Sequence, residues 1–189
     1  GAGTGKYVLG NFRRYVTNGV EYTFPIGTAA NYEESGVYIN SVAGGLTYLD
    51  ITFTISAEAV PGGLTVMGVP VDRFLDYGYW TFAPDAGTMS YTAYAQSIGH
   101  SPEGGNQNNY ALITDLGSGG GWQDLGAHSN STQVYSPPSV YAKRPLIASA
   151  GTTKHIISYS VLELFTQLAI TQEFNVDGAT LFLKLAGRS

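Results

Sequence analysis

The chain contains no cysteine. That excludes disulfides, thiolate metal sites and cysteine nucleophiles, and 189 residues are enough to hold a core without covalent staples. Charge is scarce too: Asp, Glu, Lys and Arg make up 12% of the sequence, against roughly 25% in an average soluble domain. Nine basic residues face fourteen acidic ones, for a net charge of −5, and the only adjacent basic pairs are Arg13-Arg14 and Lys143-Arg144. Affinity for nucleic acid depends on phosphate neutralisation, so neither nucleic acid nor an anionic membrane surface is an expected partner. No apolar run approaches the roughly 20 residues of a membrane helix, and no membrane insertion is expected. The sequence does not open on a basic segment followed by an apolar one. It therefore reads as a cytosolic chain or as a piece of a larger exported protein.

What is abundant is glycine (25 residues) and tyrosine (14), with 43% apolar residues overall. So many aromatics exclude a disordered tail, and the mix lacks the Ala/Glu/Lys/Leu/Arg dominance of a coiled coil. The clearest periodicity is two. In residues 48–56, Leu49, Ile51, Phe53 and Ile55 alternate with Asp50, Thr52, Thr54 and Ser56, as on an antiparallel strand with one face in a core. Shorter β-rich runs occur at 19–24, 37–42, 64–69, 77–82, 89–95, 110–114, 132–135, 155–159 and 179–185. Asn18-Gly19, Gly44-Gly45, Pro61-Gly62-Gly63, Pro84-Asp85-Ala86-Gly87 and Asp177-Gly178 punctuate them, and such pairs favour tight hairpin turns. The expected fold is all-β: one antiparallel β-sandwich over residues 1–189, jelly-roll or immunoglobulin-like, with little or no helix. Residues 1–10 would serve as a connector. Segment 160–171 carries both a capping-box pattern at Ser160 and Glu163 and a buried-strand pattern, and its strand neighbours favour the strand.

Gly1-Ala2-Gly3-Thr4-Gly5-Lys6-Tyr7-Val8-Leu9-Gly10-Asn11-Phe12-Arg13-Arg14-Tyr15-Val16 resembles the entry to a module common in large surface proteins of Bacteroidota. Tyr22-Thr23-Phe24-Pro25-Ile26-Gly27-Thr28 with Asn31-Tyr32, then Tyr79-Trp80-Thr81-Phe82, then Leu164-Phe165-Thr166-Gln167-Leu168-Ala169-Ile170 are similar to its later segments, in the same order. The resemblance implies an extracellular β-sandwich in an adhesin-like or enzyme-accessory protein exported by type IX secretion. It brings no catalytic residue with it, and this chain ends at Ser189 without the sorting domain that commonly follows such modules.

Catalytic signatures are sparse. Gly1–Lys6 has three residues between its outermost glycines, Gly1 and Gly5, where a phosphate loop needs four, and Tyr7 stands where Ser or Thr is required. Ser118 lies among glycines at the wrong spacing for a nucleophile elbow. His100, His128 and His155 form no zinc-type spacing, although His100 and His128 flank the two long polar stretches and a site between them stays open. His155 starts a strand pattern and reads as structural. No cofactor or metal is expected. Fourteen acids leave a glycosidase-like pair open without pointing to one.

Residues 99–109 and 117–131 are rich in Gly, Asn and Ser and read as loops, where a rigid scaffold commonly carries function. Trp122, carried by three glycines, is the leading binding candidate, with Tyr110 and Tyr135 as further platforms and Gln123, Asp124 and His128 as polar partners. Flat aromatic faces of this kind stack on sugars. The opposing reading has Trp122 folded back as a plug over one end of the sandwich with its N–H paired. Trp80, inside a β pattern, reads as core. The leading expectation is a non-catalytic surface or adhesion module whose partner is a polysaccharide or cell-surface glycan. A self-assembling structural subunit, meeting copies of itself or neighbouring modules through strand edges, is the alternative, and a polysaccharide-active enzyme domain is the second alternative.

Overall fold

The computed structural model describes residues 6–75, 77–98, 107–125, 134–136, 139–162, 168–176 and 179–187. The regular structure among the described residues is strand, apart from one 3-10 turn at Gln107–Asn109, with no α-helix. Two seven-stranded sheets pack face to face. The first runs β1 (Val8–Leu9), β4 (Ile26–Gly27), β5 (Tyr32–Ala43), β11 (Thr88–Ile98), β15 (Ser139–Ala150) and β14 (Val134–Ser136), with β3 (Glu21–Phe24) also on β5. The second runs β13 (Trp122–Gln123), β12 (Tyr110–Asp115), β16 (Thr153–Tyr159), β10 (Tyr79–Pro84), β6 (Tyr48–Thr54) and β2 (Phe12–Tyr15), with β9 (Arg73–Phe74) also on β16. Two hairpins complete the set: β7 (Thr65–Val66) with β8 (Val69–Pro70), and β17 (Leu168–Val176) with β18 (Ala179–Gly187). Apart from β1 on β4, every pairing is antiparallel. The all-β sandwich expected from composition and periodicity is the fold observed. Of the ambiguous segment, Leu168–Thr171 lies in β17, and residues 163–167 lie outside the described residues.

The core between the sheets follows from alternation. Val37 and Ile39 of β5 and Tyr91, Ala93 and Ala95 of β11 meet Leu49 and Ile51 of β6, Trp80 and Phe82 of β10, and Leu112 and Ile157 of β12 and β16. Each large apolar side chain taken from water contributes roughly 1.5–3 kcal/mol. The Trp80 N–H donates to the Glu33 carbonyl at 2.9 Å, so the indole is buried with its polar atom satisfied. Ile55 departs from the pattern. It is 71% exposed, because β6 ends at Thr54 and the chain leaves the sheet there.

Most of the turns named from sequence link strands of different sheets. Asn18-Gly19 joins β2 to β3, residues 44–47 join β5 to β6, and residues 85–87 join β10 to β11, each time crossing the sandwich. The last two corners are tied together: one Asp85 carboxylate oxygen accepts from the N–H groups of Thr47 (2.9 Å) and Tyr48 (3.0 Å). The turn residues reverse the chain locally, and burial then decides which sheet the next strand joins.

The excursion between β6 and β10 lies over part of the second sheet's outer face. Its Val66, Val69, Val71 and Phe74 form a second core with Ala111, Ile113 and Ile156. β12 and β16 are therefore buried on both faces, which explains the unbroken apolar run of residues 110–113. The β7–β8 hairpin turns on Met67 and Gly68 with φ of 50° and 79°, a geometry suited to Asn-Gly. Met67 is half exposed and its left-handed backbone is unfavourable for that residue type. Met67→Asn is expected to raise stability by about 0.5–1 kcal/mol in a denaturant titration. An unchanged or lower midpoint would show that Met67 is held there by contacts worth more than the strain.

Candidate binding face

The tryptophan singled out from sequence is part of the second core. Trp122 pairs with Asp115 across β12–β13 and is 9% exposed. Its ring lies edge-on to Phe74 (centroids 5.5 Å apart) and Tyr79 (6.0 Å). The chain before it folds back so that the indole packs over the sheet in this second core. Gln123 and Asp124 are half-buried beside it, and the Asp124 carboxylate accepts from the Met67 N–H at 3.4 Å.

The other expected platform residues lie elsewhere. Tyr110 is fully buried in the main core, 5.4 Å from the Tyr159 ring, and so is not a surface group. The reason is its place in a strand covered on both sides. Tyr135 stands opposite Val140 in the first sheet, whereas Trp122 belongs to the second. His128 and His100 lie outside the described residues. The structure thus places Trp122, Gln123 and Asp124 together and separates Tyr110 and Tyr135 from them. The double-sided apolar run of β12 was the available signal that some aromatic cover lay over it.

The part of the second sheet not covered by the excursion carries a different set of side chains. With Phe12, Ile51 and Phe82 directed at the core, alternation turns Arg13 and Tyr15 of β2, Tyr48, Asp50 and Thr52 of β6, and Thr81 of β10 to the outer face. Register brings them side by side: Arg13 opposite Asp50, Tyr15 opposite Tyr48, Thr81 opposite both Thr52 and Lys154. Tyr15 and Tyr48 are 59% and 40% exposed and meet edge to face, with centroids 5.9 Å apart and ring planes at 78°.

Beside them the Arg13 guanidinium grips Asp50 through both carboxylate oxygens, Nε to Oδ1 at 2.8 Å and Nη2 to Oδ2 at 2.5 Å. The Asn11 amide adds a third donor to Oδ1 at 3.0 Å. Arg13 also stands 5.7 Å from the Tyr48 ring centroid, and the Lys154 ammonium 5.0 Å from that of Tyr79. The cluster presents two aromatic faces, a fixed acceptor and fixed donors on a rigid sheet. Chemically, C–H surfaces can stack on such rings and hydroxyls can pair with such a fork. The polar face of β6 was legible from its alternation. Its partners on β2 were not, because Arg13 and Asp50 are 37 residues apart and only strand register joins them.

The hydrogen bonds from the Arg13 guanidinium hold the Asp50 carboxyl below its ordinary range, with Asn11 assisting and burial opposing, and the Arg13 pKa is raised in turn. Backbone donors from Thr47 and Tyr48 lower Asp85 likewise. A carboxylate whose folded-state pKa is depressed contributes stability above its unfolded value, about 4, and loses it as pH falls through the folded value. Wild type should therefore be more stable than Asp50→Asn at neutral pH, with the two melting curves converging below about pH 3. A gap of constant size down to that pH would contradict the assignment.

Two further polar groups are enclosed by the core. The His155 imidazole lies between the hydroxyls of Thr114 (3.1 Å, at Nδ1) and Tyr91 (2.9 Å, at Nε2), with Thr153 2.6 Å from the Tyr91 hydroxyl. Burial pushes the Tyr91 phenol up, so it stays protonated. His155 is fully buried, as a structural histidine is. Glu33, also fully buried, accepts from the Ser97 hydroxyl at 2.6 Å. Among the described residues no group of three or more His, Asp or Glu side chains is placed to hold a metal ion.

No family model matches the chain, and no curated protein and no solved structure matches it either.

Proposed function

We propose that this protein is a non-catalytic glycan-binding module of an exported bacterial surface protein, working in adhesion through the open outer face of its second sheet. The observation that carries the reading is the exposed Tyr15–Tyr48 pair set beside the Arg13–Asp50–Asn11 cluster on the open face of the second sheet. Extracellular placement and a Bacteroidota origin rest on the sequence resemblance.

The site differs from the glycine-rich loops suggested by composition. It also favours glycan binding over self-assembly. The second sheet ends at β2, four residues long with Arg13 and Arg14 on it, and at the two-residue β13. Short, charged edge strands discourage strand addition from another chain.

The test is a calorimetric titration of a panel of polysaccharides with wild type, Tyr48→Ala and Trp122→Phe. Tyr48→Ala is expected to weaken binding by about tenfold or more while leaving the melting temperature nearly unchanged, since the side chain is exposed. Trp122→Phe should bind as wild type. Loss of binding in Trp122→Phe with none in Tyr48→Ala would return the site to the loop, and a panel without any binder would end the proposal.

A further inference from the structure

Resting on that glycan-binding reading, we infer that the face takes a single, soluble, uncharged glycan chain, one sugar of which seats in the corner between Tyr15 and Tyr48 with adjacent hydroxyls on the Arg13–Asp50 fork. Three features of the face lead to this class of ligand, and they are independent of one another.

The first is ring geometry. Binding to the surface of a crystalline polysaccharide calls for aromatic platforms lying in one plane, since the ligand is itself a plane. Tyr15 and Tyr48 stand at 78° to each other with centroids 5.9 Å apart. A sugar stacked on one ring meets the other with its edge. Such a corner is filled by one ring of one chain, and a flat crystal face cannot enter it.

The second is charge. Of the two cations on the face, Arg13 is engaged by an anion and Lys154 by an aromatic ring. Both carboxylate oxygens of Asp50 occupy the Arg13 fork, and Lys154 sits over the Tyr79 ring with Asp115 opposite it in register. Asp85 lies close enough to Arg13 to interact with it electrostatically. Two cations against three carboxylates leave no positive field to draw a uronate or a sulfate, and the chain as a whole carries −5.

The third is the donor and acceptor inventory. Asp50, held ionised by Arg13, only accepts, whereas the Arg13 guanidinium and the Asn11 amide donate, each within 3.0 Å of the Asp50 carboxylate. Adjacent hydroxyls on a sugar offer the complement, one donating as its neighbour accepts. Thr52 and Thr81, paired in register, extend the same kind of contact toward Lys154. From β2 to β10 the open face spans three strands, about 10 Å at the usual strand spacing. That is room for an oligosaccharide stretch.

The experiment compares three sets of probes: soluble neutral polymers (galactomannan, hydroxyethylcellulose, soluble starch), acidic polymers (alginate, heparin), and insoluble microcrystalline cellulose and chitin. Binding is measured for wild type, Tyr15→Ala, Tyr48→Ala and Arg13→Ala at low salt and at about 0.5 M salt, where exposed charges are screened. Each variant is first shown to be folded at the assay temperature, the tyrosine variants melting as wild type does and Arg13→Ala lower for want of its pair with Asp50. The inference expects binding to at least one soluble neutral polymer, changed less than about threefold by salt and weakened about tenfold or more in each tyrosine variant. Binding confined to the acidic polymers and falling more than about tenfold with salt, or confined to the insoluble ones, overturns it while leaving the glycan-binding reading standing. Binding to no polymer of any set overturns both together.

Discussion

Replacing Phe82 by alanine is expected to lower the unfolding free energy by about 3–5 kcal/mol, the range for a large aromatic removed from a well-packed core. Phe82 is fully buried in β10, between β6 and β16, and its ring lies 4.5 Å from the His155 imidazole and 5.7 Å from Tyr91. Its loss removes apolar burial and opens a void beside the Thr114–His155–Tyr91–Thr153 chain of hydrogen bonds, which can relax only by giving up geometry that keeps buried polar atoms satisfied. For a chain of this size the melting temperature should fall by about 6–20 °C. Phe82→Leu should recover most of the loss, because it refills the space without a polar atom. A drop under about 1 kcal/mol for Phe82→Ala would mean that this part of the core is not packed as described.

The second large effect belongs to Gly87→Ala, expected to cost about 2–4 kcal/mol. Gly87 closes the corner between β10 and β11 with φ of 62°, and an added Cβ would lie 1.9 Å from the Ala43 carbonyl oxygen and 2.8 Å from the Gly44 Cα. Both obstacles are backbone. Ala43 is fixed by its pairing with Thr88, and Asp85 ties the same corner to Thr47 and Tyr48. The strain therefore has no flexible side chain to absorb it. Chemical denaturation of the variant gives the answer directly, and a midpoint equal to wild type would contradict the corner-to-corner packing. Gly36 offers an instructive contrast. There the space of a Cβ is filled by the Tyr94 ring, which lies across the strand and bonds Thr23 through its hydroxyl at 3.0 Å. A side chain can move where a backbone cannot.

How much of this was legible in the sequence varied by element. The alternation of residues 48–56 located β6 and named its inner face, and the turn signals at 18–19, 44–45 and 84–87 marked real reversals, whereas Asp177-Gly178 lies outside the described residues. Burial chose the partners of those turns, so hairpins expected at Asn18-Gly19 and Gly44-Gly45 became crossings between sheets. The twelve-residue strand β15 gave no period-two signal, because it carries Lys143-Arg144-Pro145. Pairing with β11 shows how the proline is accommodated: Tyr91 faces Ile147 and Ala93 faces Arg144, so β15 uses an extra residue there and Pro145 falls in the irregularity.

The functional side was less legible for a related reason. A tryptophan among glycines looks exposed when only its chain neighbours are considered. Its cover, Phe74 and Tyr79, comes from more than 40 residues away. Arg13, Tyr15, Tyr48 and Asp50 are ordinary strand residues until β2 pairs with β6, and strand register between distant segments is the quantity a single sequence specifies least visibly.

The most direct test of the central claim is a map of where a bound glycan touches the protein, read as amide chemical-shift changes on titrating isotope-labelled wild type with the tightest polymer of the panel. The account predicts changes centred on Asn11, Arg13, Tyr15, Tyr48, Asp50, Thr52 and Thr81, the residues that share the open face of the second sheet. Changes confined to Gly119–Leu125, with the β2–β6 face silent, would contradict it.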